Sequence, residues 1–218
     1  MAAGAAGVAL GNWQTRRAEE KRAIGEQLEQ ASKSPAIPVP ETPIKAQQLH
    51  LKRVAARGVF VAEKSVLLDN RMRRGRAGYE VVTPLRISHA MHVLVNRGWI
   101  EAPAERTRLP QVRTPAGEVR IEGIALERLP HALSTGSAAA GPVRQNLDIA
   151  AFAAETGLAL QPIVIEQHDD IGDGLVREWP RPDLGIDRHE MYALQWYSLS
   201  ALAIALFVVL SFRRVAPH

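Results

Sequence analysis

His189 stands just ahead of an uncharged stretch, with Tyr192 at i+3 and Trp196 at i+7, so a helix through these positions puts all three on one face. An imidazole at the edge of an apolar segment, walled by aromatic rings, has the parts that an axial haem ligand with a stacking surface needs. The same residues also suit a commoner arrangement, a titratable side chain reaching for headgroups within an aromatic belt. Arg97 lies in Asn96-Arg97-Gly98-Trp99, at the end of an apolar run. Its guanidinium fork could hold a propionate or another carboxylate, and a salt bridge at a tight turn would suit it equally.

The other histidines, at positions 50, 89, 92, 131, 168 and 218, lack such a setting. None forms the HxxxH pair with an intervening Glu that marks a zinc-protease helix. His89 and His92 are three apart and His168 precedes Asp169-Asp170, spacings at which a metal is conceivable, although a lone surface His beside acids is far more often just solvated. Asp169, Asp170 and Asp173 near Gly172 and Gly174 lack the Glu that would close a calcium loop and read as a polar turn. The chain has no cysteine, which excludes disulfides, thiolate metal sites and Cys catalysis. No nucleophile elbow, phosphate loop or dinucleotide fingerprint is present, so no enzyme activity is expected.

The element that must position His189 is the stretch from Met191 to Phe212, which carries no charge and ends at Arg213-Arg214. As a helix at about 1.5 Å per residue it is long enough for a hydrocarbon core of roughly 30 Å. Tyr192, Trp196 and Tyr197 gather at one end, and two arginines close the other. A basic tail favours the cytoplasmic side, which would put the residues before the span outside. Arg16, Arg17, Lys21 and Arg22 argue against that orientation by the same rule. Ala2 to Leu10 is small and apolar and Gly11 to Gln14 resembles an interfacial helix end, so residues 1–14 read as the end of an incomplete first transmembrane helix.

Between these ends, Arg16 to Ala31 has a helical composition, with Ile24, Leu28 and Ala31 forming a narrow apolar stripe. Pro35, Pro38, Pro40 and Pro43 then make an extended linker. Val66 to Leu68 reads as a strand running into an Asp69-Asn70 turn, with Gly75 and Gly78 in the loop beyond. Tyr79 to Leu85, His92 to Ile100, Glu118 to Ile124 and Pro162 to Glu166 are further strands. Asp148 can cap a short helix that Gly157 ends. Gly136 to Pro142 is a loop, and Pro180 to Pro182 a second linker. The fold class is α+β, an outward-facing domain on an antiparallel β-sheet with a C-terminal transmembrane helix and a truncated N-terminal one. The net charge of +4 is small and interspersed outside the run Arg71 to Arg76, and aromatics make up 5% of the chain, so no nucleic-acid partner is expected.

Several words of this chain are shared with a known family. Leu10-Gly11-Asn12-Trp13-Gln14 with Arg17 and Lys21, then Val66 to Arg71 (VLLDNR), Gly78 to Leu85 (GYEVVTPL) and Val93 to Ile100 (VLVNRGWI) follow in order. Trp179-Pro180 and His189 to Tyr197 (HEMYALQWY) complete the set. Together they resemble the Surfeit locus protein family, the cytochrome c oxidase assembly factors, from about Leu10 to Arg214. Glu20 departs from the Trp common in relatives before Lys21.

The resemblance implies a membrane hairpin whose outer domain helps to assemble haem-copper oxidases, in the manner of a chaperone. It implies transient binding of haem a, with His189 as the axial iron ligand, and insertion into oxidase subunit I; Tyr192, Trp196 and Arg97 are the cofactor contacts read beside it from the residues themselves. Haem a synthase and membrane lipid are the other implied partners. A membrane-tethered scaffold that stabilises an oxidase intermediate without haem is the rival reading. The expected layout is residues 15–190 as a periplasmic or intermembrane-space domain, 191–212 as the transmembrane helix and 213–218 as a cytoplasmic tail. The complete protein would be multi-pass in the cell inner membrane, or in the mitochondrial inner membrane if eukaryotic.

Overall fold

The computed structural model describes residues 2–105, 108–130, 141–179 and 185–215. The Pro180 to Pro182 linker and most of the expected Gly136 to Pro142 loop lie outside the described residues, as do His131 and His218. The chain forms two compact units, Gln30–Trp179 and a pairing of Met1–Glu29 with Pro180–His218.

The first of these is built on one sheet of eight strands. In chain order they are β1 (Ile37–Pro38), β2 (Arg53–Phe60), β3 (Val66–Arg73), β4 (Arg76–Arg86), β5 (His92–Glu101), β6 (Glu118–Leu126), β7 (Val143–Arg144) and β8 (Leu160–Gln167). Most pairings are antiparallel, and β1–β2, β3–β7 and β5–β8 are parallel. The strand order is β1-β2-β6-β8-β5-β4-β3-β7, with an additional pairing of β2 to β4 through Val59↔Arg86 and Phe60↔Leu85. That pairing closes β2, β6, β8, β5 and β4 into a small barrel.

Closure needs sharp bends, and two glycines supply the room. A Cβ on Gly58 would lie 2.0 Å from the Arg86 carbonyl oxygen, and one on Gly123 would lie 2.0 Å from that of Glu166. Only hydrogen fits there, as at other barrel corners. The barrel interior holds Val54, Phe60, Val93, Val95, Ile121 and Ile165, all buried. On the outer side of the same wall, Val66, Leu68, Val82, Leu94 and Val164 pack with Phe152. Wall strands are therefore covered on both faces, which is why β5 is buried without alternation from His92 to Trp99.

Phe152 belongs to α2 (Ile149–Thr156), which is capped as its sequence indicates. The Asp148 carboxylate accepts from the Ala151 amide at 2.8 Å, and Gly157 ends the helix. Two local expectations fail. Asp69-Asn70 is a bulge within β3 rather than a turn, with the register shifting between Leu68 and Arg71. The chain reverses instead at Arg74-Gly75, both at positive φ, and Gly78 lies inside β4.

In the other unit, α1 (Ala2–Lys33) and α3 (Ile186–Val215) lie antiparallel. The helix expected over Arg16 to Ala31 is thus the second half of a longer one. Gly4, Gly7, Gly11 and Ala18 are the buried positions of α1 here, at helical spacing. A Cβ on Gly7 would stand 2.1 Å from Ser200 Oγ, and one on Gly11 would stand 2.5 Å from the Tyr197 ring. The two backbones approach closely because these residues lack side chains, as small residues permit at helix–helix contacts. From Ile186 to Ser211, α3 is long and apolar enough to cross a membrane, and Leu194, Leu199, Leu202, Leu206 and Leu210 project from it exposed.

Candidate functional site

At 100° per residue, Ala193 and Ser200 mark the seam of α3 against α1, and both are buried. His189, Tyr192 and Trp196 fall on one shoulder of that seam and Tyr197 on the other. His189 and Trp196 are half-buried, while Tyr192 is exposed. The face read from the spacing is therefore present, half inside the helix pair and half open.

Contacts from α1 complete this rim. His189 Nδ1 lies 2.6 Å from Gln14 Oε1. The Tyr197 hydroxyl donates to Asn12 Oδ1 at 2.8 Å and lies 3.2 Å from Thr15 Oγ1. Arg22 forms an ion pair with Glu190 one step toward the polar end. Arg17, Lys21 and Arg188 are close enough to His189 to act on it electrostatically. Gln14, Asn12 and the glycine row went unremarked in the sequence as site residues. Glycines at i, i+3 and i+7 in an apolar helix were the available signal for a partner helix.

Arg97 belongs to the barrel unit, where both of its terminal nitrogens are engaged and its Nε is buried without a hydrogen-bond partner. It donates to Asp173 Oδ2 and Thr114 Oγ1, both at 2.8 Å, and to the Arg113 carbonyl at 2.6 Å. Both Arg97 and Asp173 side chains are 0% exposed. Of the two readings of this residue, the geometry supports the internal salt bridge, and no face of the guanidinium is left open for an external carboxylate.

The remaining histidines are dispersed. His168 lies 3.1 Å from Glu166 and stacks near Trp179, and no cluster of three or more potential metal ligands occurs among the described residues. His92 is buried at the start of β5 with its Nδ1 unpartnered. Burial pulls its pKa below 6.5, a nearby hydrogen bond at Ala159 opposes the shift, and Arg86 adds to it. A lowered folded-state pKa gives stability that is present above the unfolded value of 6.5 and is lost as pH falls through the folded value. Acidifying from roughly pH 7.5 to pH 5 should lower the denaturant midpoint, with a slope of at most about 1.4 kcal/mol per pH unit from this group. His92→Gln should flatten that slope, and an unchanged slope would assign it to other groups.

The SURF1 family model matches residues 1–201. The chain belongs to the SURF1 family. A SURF1-like protein of Monosiga brevicollis is 28% identical over 92% of this chain and 82% of its own length. One from Rickettsia felis is 26% identical over 93% and 90%, respectively. The cytochrome oxidase assembly protein SHY1 of Saccharomyces cerevisiae is 31% identical over 42% of this chain and 24% of its own length.

Of the words that carry the resemblance, three lie on the adjacent strands β3, β4 and β5, and two lie on the helix pair. On β3, β4 and β5 they supply a buried polar knot rather than an open site. Glu80 accepts from Arg73 at 2.6 Å and Asn96 at 3.1 Å, with Arg71 Nε 3.6 Å away. Trp99 Nε1 donates to the Arg71 carbonyl at 2.8 Å. The basic run Arg71 to Arg76 is neutralised in the same region, since Arg74 pairs with Glu178 and Arg76 with Glu101. The helix words GNWQ and HEMYALQWY, by contrast, meet at the rim, joining Gln14 to His189 and Asn12 to Tyr197.

Proposed function

We propose that this SURF1 family protein is an assembly factor for haem-copper cytochrome c oxidase. In this reading His189 holds haem a transiently, after its synthesis by haem a synthase, and the protein aids insertion into oxidase subunit I. The observation that carries the reading is the His189 imidazole at the polar end of an apolar helix, anchored through Nδ1 to Gln14. Among the described residues its Nε2 makes no hydrogen bond. Metal-ligating histidines commonly bond their far nitrogen to a carbonyl in the same way, which supports the reading.

His189 would hold the iron of haem a through Nε2, and reliance on one protein ligand would suit transient binding. The chain's residues do the rest. Trp196 and Tyr192 offer ring faces on the same shoulder, and Arg17, Lys21 and Arg188 offer charge to carboxylates at the polar end. No bond-making step is asked of any side chain. The family names favour this over an enzyme, because the SHY1 protein is named for oxidase assembly. We place residues 15–190 on the periplasmic or intermembrane-space side, with the start of α1 (residues 1–14) and the apolar part of α3 (residues 191–212) as a two-helix anchor in the inner membrane.

The test is absorbance. The protein co-expressed with haem a synthase and purified in detergent should show a Soret band, and His189→Ala should lose most of it. A colourless wild type would favour the haem-free scaffold. An unchanged spectrum in His189→Ala would move the ligand elsewhere.

A further inference from the structure

We propose that Gln14 is a positioning residue for His189, setting the imidazole tautomer and turning Nε2 outward as the only available donor atom. Gln14 Oε1 carries lone pairs and no hydrogen, so at 2.6 Å the hydrogen between the two atoms must sit on His189 Nδ1. A neutral imidazole has a single N–H, and fixing it at Nδ1 leaves the lone pair on Nε2. The contact also stops ring rotation, because Gln14 sits on α1 and the ring sits on α3.

The register of this contact is not left to the two side chains. Gly7 against Ser200 and Gly11 against the Tyr197 ring fix how far α1 slides along α3. Asn12 and Thr15 hold the Tyr197 hydroxyl on the other shoulder. Gln14 is thus delivered to His189 by a backbone approach that tolerates no side chain. A ligand histidine whose second nitrogen bonds a neutral carbonyl is more basic and better oriented than a free one. Removing such a partner typically weakens metal affinity by about 10- to 100-fold. The ligand role rests on the haem reading above, whereas the tautomer is a property of the chain alone.

The experiment therefore has two arms. In the first, the metal-free full chain is labelled with 15N at histidine, placed in lipid nanodiscs, and its His189 ring read by two-bond proton–nitrogen correlation at a pH where the ring is neutral. Wild type should show the Nδ1–H tautomer, and Gln14→Leu should shift toward Nε2–H. A wild type already in the Nε2–H form, or a Gln14→Leu variant unchanged from wild type, overturns the proposal. In the second arm, haem is titrated into wild type, Gln14→Leu and Gln14→Glu. The ferrous iron–imidazole stretch should rise with Gln14→Glu, whose carboxylate is the stronger acceptor, and fall with Gln14→Leu, which should also bind haem about 10- to 100-fold more weakly.

A purely structural staple between the helices would change thermal stability in these variants and leave the stretch and the tautomer where they are, overturning the proposal. If Gln14→Leu fails to fold, Gln14→Glu carries both arms, since it keeps an acceptor at the same place. A wild type that binds no haem sinks the carrier reading, while the first arm still decides the role of Gln14.

Discussion

Asp173→Ala is expected to destabilise the barrel unit by about 3–5 kcal/mol, the usual result of stripping one partner from a buried ion pair. Arg97 is the bulged residue of β5, because Val81 pairs with Gly98 and Val82 with Asn96. The bulge sends its side chain into the interior, where the guanidinium stands 4.7 Å over the Phe60 ring and 2.8 Å from Asp173. Burial lowers the Arg97 pKa while Asp173 raises it, but a guanidinium does not give up its proton to escape. Without the carboxylate, a full charge would remain in a dry site, and Arg177, which donates to Asp173 at 2.6 Å and to Asp170 at 3.0 Å, would lose the buried one of its two carboxylate partners.

The double replacement Arg97→Met with Asp173→Leu removes both charges and should recover most of the loss. Urea denaturation of the full chain in detergent, followed through Trp99 fluorescence, checks both. If Asp173→Ala unfolds within about 0.5 kcal/mol of wild type, the pair is solvated and the packing described for it is wrong.

Gly58→Val should also destabilise strongly, by about 3 kcal/mol, the upper end for overpacking, because the obstacle is backbone rather than a side chain that can turn away. The added atom would lie 2.0 Å from the Arg86 carbonyl oxygen, at the place where β2 meets β4. The lost free energy should be concentrated in that seam. Amide exchange at Val61, which donates to the Pro84 carbonyl at 2.9 Å, should accelerate more than exchange in β5. Gly117→Val is the control, since no atom lies within 4 Å of its Cβ position, and it should leave the denaturant midpoint unchanged. Equal loss in the two variants would mean that the barrel is not closed at Gly58.

The sequence showed most strands because their apolar residues are local signals. It did not show barrel closure. That depends on Gly58 and Gly123 meeting carbonyls of distant strands, and a glycine within a strand pattern has several explanations. β2 was missed as a defined strand although Val54, Ala56 and Phe60 alternate, since Arg53, Arg57 and Gly58 dilute the pattern. Asp69-Asn70 looked like a turn because those residue types favour positive φ, and Asn70 does have φ 60, but in a bulge. The face carrying His189, Tyr192 and Trp196 was legible from 3.6-residue periodicity alone. Gln14 was not, because its partner is 175 residues away. Arg97 illustrates the opposite failure, a residue type rich in binding chemistry that the fold spends on itself.

The position of β8 also has a bearing on how the protein is made. This strand lies between β5 and β6, yet the ribosome delivers it after both. Until Gln167 has emerged, the nascent chain presents unpaired edges on both of those strands, which are sticky toward other growing chains. A product cut short anywhere upstream of Gln167 cannot shut the cylinder. Premature stop codons through most of the reading frame should therefore yield material destined for proteolysis rather than a shortened working protein.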